Sequence, residues 1–170
     1  MNIKHYELIN IANKFLEENY DISLDIPIEF NTRLKRVFGR FVSSKSKGSV
    51  KIEMSVDFII NHPKNHIIDV FKHELVHYAL FEKGLPFHDG DPIFESELKK
   101  HGVSSTHTYE YLGEVHRYIC ENCNKIFEKK RRLVKTAYCG CSNGPNLTYE
   151  GVFKKEYKTD QDNKIISLSS

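Results

Sequence analysis

The sequence lacks several features that would assign it to a specialised class of protein. It has no apolar run long enough to cross a membrane, no internal repeat and no low-complexity segment. Cysteine is missing from the first 119 residues. The N-terminus runs directly into charged helical sequence, without the apolar core of a secretion signal. We therefore expect a soluble cytoplasmic protein that does not bind membranes.

A large excess of charge of one sign is also lacking. Lys and Arg number 25 against 23 Asp and Glu, and the formal net charge is +2. This balance gives no chain-wide attraction to nucleic acid, so a basic binding surface would have to be local. The 170 residues suffice for one compact domain with a small appendage. The oligomeric state is not indicated.

The motif His-Glu-x-x-His stands at residues 73–77. The surrounding apolar residues predict a helix from about residue 63 to Glu82, in which His73 and His77 lie one turn apart on the same face. Two neutral imidazoles in that arrangement can bind one Zn²⁺. Glu74 is rotated by about 100° around the helix. Its carboxylate could therefore act as general base on a water bound by the ion, which predicts metal-assisted hydrolysis.

A third ligand is needed, because a catalytic zinc ion usually has three protein ligands. We predict His88, which lies on the loop that follows the metal helix, where the chain can fold back toward the ion. A Glu on the next helix is the other common solution. Glu95 and Glu97 therefore stay open. His101 and His107 are better interpreted as exposed histidines, and Asp89 and Asp91 are the remaining candidates. The two aspartates could instead orient His88 or cap the following helix.

Hydrophobic periodicity predicts the elements around this motif. Helices are expected at residues 3–19 and 92–101, and strands at 25–31, 38–44 and 49–56. The strands would form a small antiparallel or mixed sheet, with a hairpin turn at residues 45–48. An extended substrate could pair with an edge strand, which we place at residues 49–56. The fold class is α+β.

All four cysteines lie within 22 residues near the C-terminus. Cys120 and Cys123 form a C-x-x-C knuckle, and Cys139 and Cys141 form a C-x-C pair that is one residue shorter. In a chain without a secretion signal such a cluster predicts a structural Zn²⁺ held by four thiolates, that is, a zinc ribbon. Its sheet would come from residues 116–119, 127–136 and 147–153.

A basic run, Lys129-Lys130-Arg131-Arg132, lies between the two cysteine pairs. Its ordinary interpretation is a solvated hairpin. Its functional interpretation is contact with nucleic-acid phosphates, with bases stacking on Tyr118, Phe127 or Tyr138. A second basic group precedes the second strand and consists of Arg33, Lys35, Arg36 and Arg40.

The motif at residues 73–77, followed by a ten-residue loop and by His88-Asp89-Gly90-Asp91-Pro92-Ile93-Phe94, resembles the SprT-like zinc metallopeptidases. These are bacterial relatives of Spartan, the eukaryotic protease of DNA–protein crosslinks, and the resemblance extends to the zinc ribbon. It implies a minimal gluzincin-like domain in which His73, His77 and His88 bind zinc and Glu74 is catalytic. In the family a Gly commonly follows the third His directly, whereas here Asp89 intervenes.

The sequence thus predicts a zinc-dependent metalloendopeptidase with one catalytic and one structural Zn²⁺. Its domains would be residues 1–113 and 114–158, with a polar tail at 159–170. The resemblance implies a protein substrate associated with or crosslinked to DNA, and single-stranded or damaged DNA as a further partner. Three side chains are candidates to stabilise an oxyanion: His107, Tyr109 and Tyr111. The alternatives are a non-catalytic zinc-ribbon protein that binds nucleic acid or transcription machinery, and a general cytosolic zinc peptidase.

Overall fold

The computed structural model describes residues 2–44, 46–105, 108–134, 138–141, 145–157 and 166–167. It divides the chain into two compact units, residues 1–110 and 111–170, and each is described by itself. Sequence analysis placed this boundary at residue 113. The predicted tail from residue 159 lies outside the described residues, apart from 166–167.

The first unit has four helices among its described residues: α1 (His5–Tyr20), α2 (Val56–Asn61), α3 (Lys64–Glu82) and α4 (Pro92–Lys100). Helices α1, α3 and α4 agree closely with the predicted ones, whereas α2 was not predicted. The side chain of Ser55 accepts a hydrogen bond from the Phe58 amide and so caps α2. The chain leaves helical geometry at His62, because the following Pro63 disfavours the α conformation in the residue before it.

A three-stranded sheet completes the first unit. Its strands are β1 (Ile28–Asn31), β2 (Gly39–Ser44) and β3 (Gly48–Ser55), in the order β1-β3-β2. Strand β3 runs antiparallel to β2 and parallel to β1, so the sheet is mixed. The prediction that residues 49–56 form an edge strand is therefore wrong. Residues 52–55 are all buried, and because successive side chains point to opposite faces, both faces of this part of the strand are covered.

Helix α3 lies at the centre of the first unit. It packs against α1, against α4 and against strands β2 and β3. Apolar side chains from these elements form one core, in which Ile52, Met54, Leu75 and Ala79 are fully buried. Because α3 is packed on several sides, it has no face made of polar residues alone. Within the part of the chain that the structure describes, no helix is long and apolar enough to span a membrane.

The second unit is a small sheet of four strands in the order β5-β4-β6-β7. These are β4 (Gly113–Cys120), β5 (Ile126–Lys129), β6 (Leu147–Lys155) and β7 (Ile166–Ser167), and each neighbouring pair is antiparallel. Strand β5 is much shorter than the predicted strand at 127–136. The basic residues 130–132 therefore follow the strand instead of lying on it.

Strand β2 approaches α3 closely at Gly39, a buried residue. A Cβ atom built on Gly39 would lie 3.0 Å from both Cγ and Oε1 of Glu74 and 3.1 Å from Sδ of Met54. Real Cβ atoms rarely have neighbours this close, and both neighbours are themselves buried. Glycine is thus required here by the lack of space between strand and helix.

We predict that Gly39→Ala lowers the free energy of unfolding by about 1–3 kcal/mol, because the added methyl group overpacks a buried contact. Equilibrium urea unfolding measures this change. Ser43→Ala, at an exposed position of the same strand, is the control and should change the stability by less than about 0.5 kcal/mol. Equal stability of the two variants would mean that Glu74 and Met54 move aside without cost.

Candidate metal centre

Helix α3 presents two imidazole rings to the loop that follows it. The Nδ1 atom of His73 lies 3.0 Å from the carbonyl oxygen of Ser104, and Nδ1 of His77 is hydrogen-bonded to the carbonyl oxygen of Phe87. A carbonyl oxygen can only accept, so each Nδ1 carries the proton. In the neutral ring the Nε2 lone pair is then available for a metal ion.

The carboxylate of Asp89 faces both Nε2 atoms. Its Oδ1 lies 3.1 Å from Nε2 of His73 and 3.7 Å from Nε2 of His77. Burial lowers the pKa of His77 to about 4, so this ring is neutral at physiological pH. Where an imidazole is neutral, its free lone pair and a carboxylate oxygen repel each other unless a cation lies between them. The chemistry of this donor set therefore fits a bound metal ion.

Glu74 lies beside the two histidines but is held by the sheet. One of its carboxylate oxygens accepts a hydrogen bond of 2.7 Å from the backbone N–H of Phe41 in β2. Burial raises the pKa of the Glu74 carboxyl to about 8, against the effect of the Phe41 amide, and the negative charge of Asp89 raises it further. A cation bound nearby would stabilise the ionised form, in which Glu74 can accept a proton.

Two further contacts fix the histidine rings. The ring of Phe94 in α4 stacks on His77 at 4.1 Å between centroids and meets His73 edge-on at 5.1 Å. Asp69 stands one turn before His73, and its carboxylate accepts hydrogen bonds from the Ser104 amide (3.1 Å) and the Tyr109 hydroxyl (2.6 Å). Asp69 thus holds the segment whose carbonyl orients His73, as outer residues of metal sites commonly do.

His88, the predicted third ligand, does not join the two helical histidines. It is exposed, its N–H donates to Asp91 at 2.8 Å, and its ring lies against Phe87 at 4.2 Å. Among the described residues, Asp89 is the one whose ligand atom joins those of His73 and His77, all within 4.8 Å. The structure thus brings Asp89, the residue after the predicted ligand, to the two helical histidines, and the ligand role of His88 stays a prediction.

The other candidates for the third ligand make contacts elsewhere. Glu95 accepts the Gly90 amide at 3.0 Å, and Glu97 accepts the Tyr20 hydroxyl at 3.0 Å and lies 3.2 Å from the ring of His101. Asp91 occupies the N-cap position of α4, but its carboxylate binds the His88 amide instead of capping the helix. His107 lies outside the described residues.

The two tyrosines that the sequence offers as oxyanion donors make contacts within their own units. Tyr109 donates its hydroxyl to Asp69. Tyr111 belongs to the second unit, where the ammonium group of Lys130 lies over its ring. A role of either tyrosine as oxyanion donor stays a prediction.

The four predicted cysteines come together in the second unit. The sulfur atoms of Cys120 and Cys141, and those of Cys123 and Cys139, are 3.4 Å apart, and all four lie within 4.8 Å of one another. None forms a disulfide. Burial acts to raise the pKa of Cys120, but the backbone N–H groups of Cys123 and Asn122 outweigh it and lower this pKa to about 7. The cluster could hold one tetrahedral metal ion.

Asn146 completes this cluster, and sequence analysis missed it. Its side-chain oxygen accepts the Cys139 amide at 2.7 Å, its NH₂ group donates to the sulfur of Cys141 at 3.6 Å, and its carbonyl accepts the Glu121 amide at 3.0 Å. The side chain thus braces the short C-x-C turn. No spacing rule in the sequence indicates the role of Asn146. For Asp69 a signal was available, since it lies one helical turn before His73.

The predicted basic residues Lys129, Lys130, Arg131 and Arg132 are all exposed. The guanidinium carbon of Arg132 lies 4.6 Å from the ring centre of Tyr149, and the Lys130 ammonium lies 4.1 Å from that of Tyr111. In the first unit, Lys35 pairs with Asp57 and Arg40 with Glu53. The second basic group is thus partly neutralised, while the first combines cations with aromatic rings.

Comparisons with known proteins identify the family of this chain. The family model for the SprT-like family matches residues 5–110. A protein described as "Protein SprT-like" from Bacillus velezensis is 31% identical over 120 residues, which cover 68% of this chain and 78% of the relative. Relatives of the same description from Oceanobacillus iheyensis and Bacillus subtilis are 27% and 31% identical, covering 81% and 68% of this chain and 92% and 77% of their own lengths. The chain belongs to the SprT-like family.

Proposed function

We propose that the chain is a zinc-dependent metalloendopeptidase with a minimal gluzincin-like first unit. The observation that carries this proposal is the convergence of two Nε2 atoms and a carboxylate next to the buried Glu74. His73 and His77 would hold the ion together with a ligand from the loop at residues 88–89. The bound ion would supply Lewis acidity toward a water molecule and a peptide carbonyl.

Glu74 is the residue proposed to move the proton. Its carboxylate would take a proton from the attacking water and deliver it to the leaving amine. The hydrogen bond from the Phe41 amide fixes the orientation of this carboxylate, and Gly39 leaves room for it. The chain thus offers a general base whose position is set by the sheet and not by a flexible side chain alone.

Strand β2 is the proposed docking edge for an extended polypeptide. It has β3 as its one partner among the described residues, and its other edge faces α3, where the Phe41 N–H meets Glu74. A substrate added along this edge would run past the metal centre. This proposal replaces the docking edge that the sequence suggested at residues 49–56.

We predict that Glu74→Gln retains the metal ion but slows hydrolysis by at least about 100-fold, since general acid–base catalysis contributes about 10²–10⁴. The measurement is cleavage of a fluorescent unfolded polypeptide by purified chain, together with its metal content. Glu82→Gln, at the exposed end of the same helix, serves as control and should cleave normally. Turnover by Glu74→Gln at the parental rate would refute the assigned role.

The second unit is proposed to bind DNA, so that the substrate would be protein associated with or crosslinked to it. The support is the exposed basic run at residues 129–132, with Tyr111 and Tyr149 stacked beneath two of its cations. Cations interleaved with aromatic rings suit single-stranded nucleic acid, which offers both phosphates and unstacked bases. A non-catalytic binding protein, the alternative, would also bind nucleic acid through this run. It would not cleave a polypeptide in a reaction that a chelator stops.

We predict that Lys129→Gln combined with Arg131→Gln weakens binding of fluorescent single-stranded DNA and reduces the salt dependence. The slope of log K against log salt should become shallower by about 0.7 for each phosphate that the variant no longer neutralises. The double variant Lys99→Gln and Lys100→Gln, at the end of α4, removes the same charge from the first unit and is the control. An unchanged slope in the variant with Lys129→Gln and Arg131→Gln would rule out DNA binding by this segment.

A further inference from the structure

We propose that Phe81 is a positioning residue of the candidate metal centre, because its ring holds together the strand and the loop whose backbones orient Glu74 and His77. The inference rests on the function proposed above, since that reaction is what the positioning would serve. It concerns a side chain outside the sequence motif and assigns nothing to the ligands themselves.

Two backbone groups orient polar residues of the centre, and they come from different segments. The N–H of Phe41 in β2 donates to Glu74 at 2.7 Å, and the carbonyl oxygen of Phe87, in the loop after α3, is hydrogen-bonded to His77. Phe41 precedes Glu74 by 33 residues, and Phe87 follows His77 by 10. The position of each backbone group therefore depends on what holds its residue against the helix.

The side chains of these same two residues meet on the ring of Phe81. The centroid of the Phe81 ring lies 5.5 Å from that of Phe41 and 5.1 Å from that of Phe87, at interplanar angles of 61° and 89°. The rings of Phe41 and Phe87 are 6.2 Å apart at 79°. All three pairs have the edge-to-face geometry that aromatic rings prefer. We call Phe41, Phe81 and Phe87 the aromatic triangle.

Phe81 links the aromatic triangle to the helix that carries the motif. It follows His77 by four residues, so both side chains lie on the same face of α3. The ring of Phe41 also meets the buried ring of Tyr78, three residues before Phe81, at 6.0 Å. Phe41 thus packs against two neighbouring positions of the helix. The helix fixes Phe81, and Phe81 in turn fixes the strand and the loop.

The aromatic triangle differs from the core in its burial. All three of its rings are partly buried, whereas Leu75 and Ala79 in the same helix are fully buried. A smaller apolar side chain at position 81 is therefore expected to leave the core intact. It would loosen the strand and the loop locally, without opening the whole unit.

Strand β2 contains an internal reference for a test. Backbone groups of successive strand residues point to opposite edges, and the carbonyl of Phe38, just before β2, accepts the amide of Ser55 in β3 at 2.8 Å. The amide of Arg40 therefore faces β3, while that of Phe41 faces Glu74. Hydrogen exchange of these two neighbouring amides, measured by NMR, separates loosening at α3 from opening of the sheet.

The test compares the full chain, purified with Zn²⁺, with Phe81→Leu, which keeps an apolar side chain but removes the ring. We expect exchange of the Phe41 amide to become at least about tenfold faster, because two ring contacts are lost, while the Arg40 amide keeps its rate. Phe81→Tyr keeps the ring and should exchange like the parent. The matched control is Phe15→Leu, which removes a ring from the buried face of α1 and should change both amides by the same factor.

Cleavage and metal affinity give a second readout. Phe81→Leu should lower kcat by about 10- to 100-fold at unchanged KM, since misplacing a catalytic group by about 1 Å can cost 100-fold. Competition with a chromogenic chelator should show Zn²⁺ affinity at the histidine site lowered by about 10-fold or more, as when partners of metal ligands are lost. The ion at the four cysteines is the internal reference. Phe15→Leu should keep the parental kcat and affinity.

Equal acceleration of the Phe41 and Arg40 amides in Phe81→Leu, or parental rates for both, would overturn the role of Phe81. A loss of kcat in Phe15→Leu as large as in Phe81→Leu would overturn it too. If Phe81→Leu does not fold, Phe81→Met takes its place in the same comparison. The exchange measurement requires no cleavage, so it still decides the role of Phe81 if the parent cleaves nothing, a result that would overturn the proposed function.

Discussion

The hydrogen bond from the Phe41 amide to the Glu74 carboxylate is the contact on which the first unit's site depends. A buried carboxylate is costly unless it is hydrogen-bonded or compensated by a cation. Strand β2 supplies the hydrogen bond, and it can approach α3 only because Gly39 has no side chain to collide with Glu74. A cation bound by the adjacent His73, His77 and Asp89 would compensate the rest of the cost of burying this carboxylate.

The two histidines also depend on contacts from outside the helix, because neither ring is oriented by α3 alone. The segment after α4 supplies the Ser104 carbonyl for His73, and the loop after α3 supplies the Phe87 carbonyl for His77. Phe94 then packs on both rings. Backbone carbonyls are reliable partners here because they can only accept, so they fix which ring nitrogen is exposed. The helix contributes the two candidate ligands, while the segments after it select their orientation.

In the second unit, hydrogen bonds hold the four cysteines of a small sheet in place. A small sheet buries little apolar surface, so an ion held by its four cysteines would contribute much of the folding free energy. The C-x-C pair is a residue shorter than a usual knuckle, and the side chain of Asn146 braces it with one bond to an amide and one to a sulfur. In both units, hydrogen bonds from residues outside the sequence motif position the candidate ligands.

The sequence by itself determined the helix that carries His73, Glu74 and His77, the grouping of four cysteines, and the resemblance that the family comparisons confirm. These features are local, because periodicity and spacing within a few residues fix which side chains share a face. Only the tertiary structure decided that β3 is central, that Asp89 faces the histidines in place of His88, and that Asn146 braces the cysteines. Each of these depends on contacts that periodicity and local spacing do not determine. Strand β3 pairs with two other strands, Asp89 comes from the loop 16 residues after His73, and Asn146 reaches back to Cys139 and Cys141.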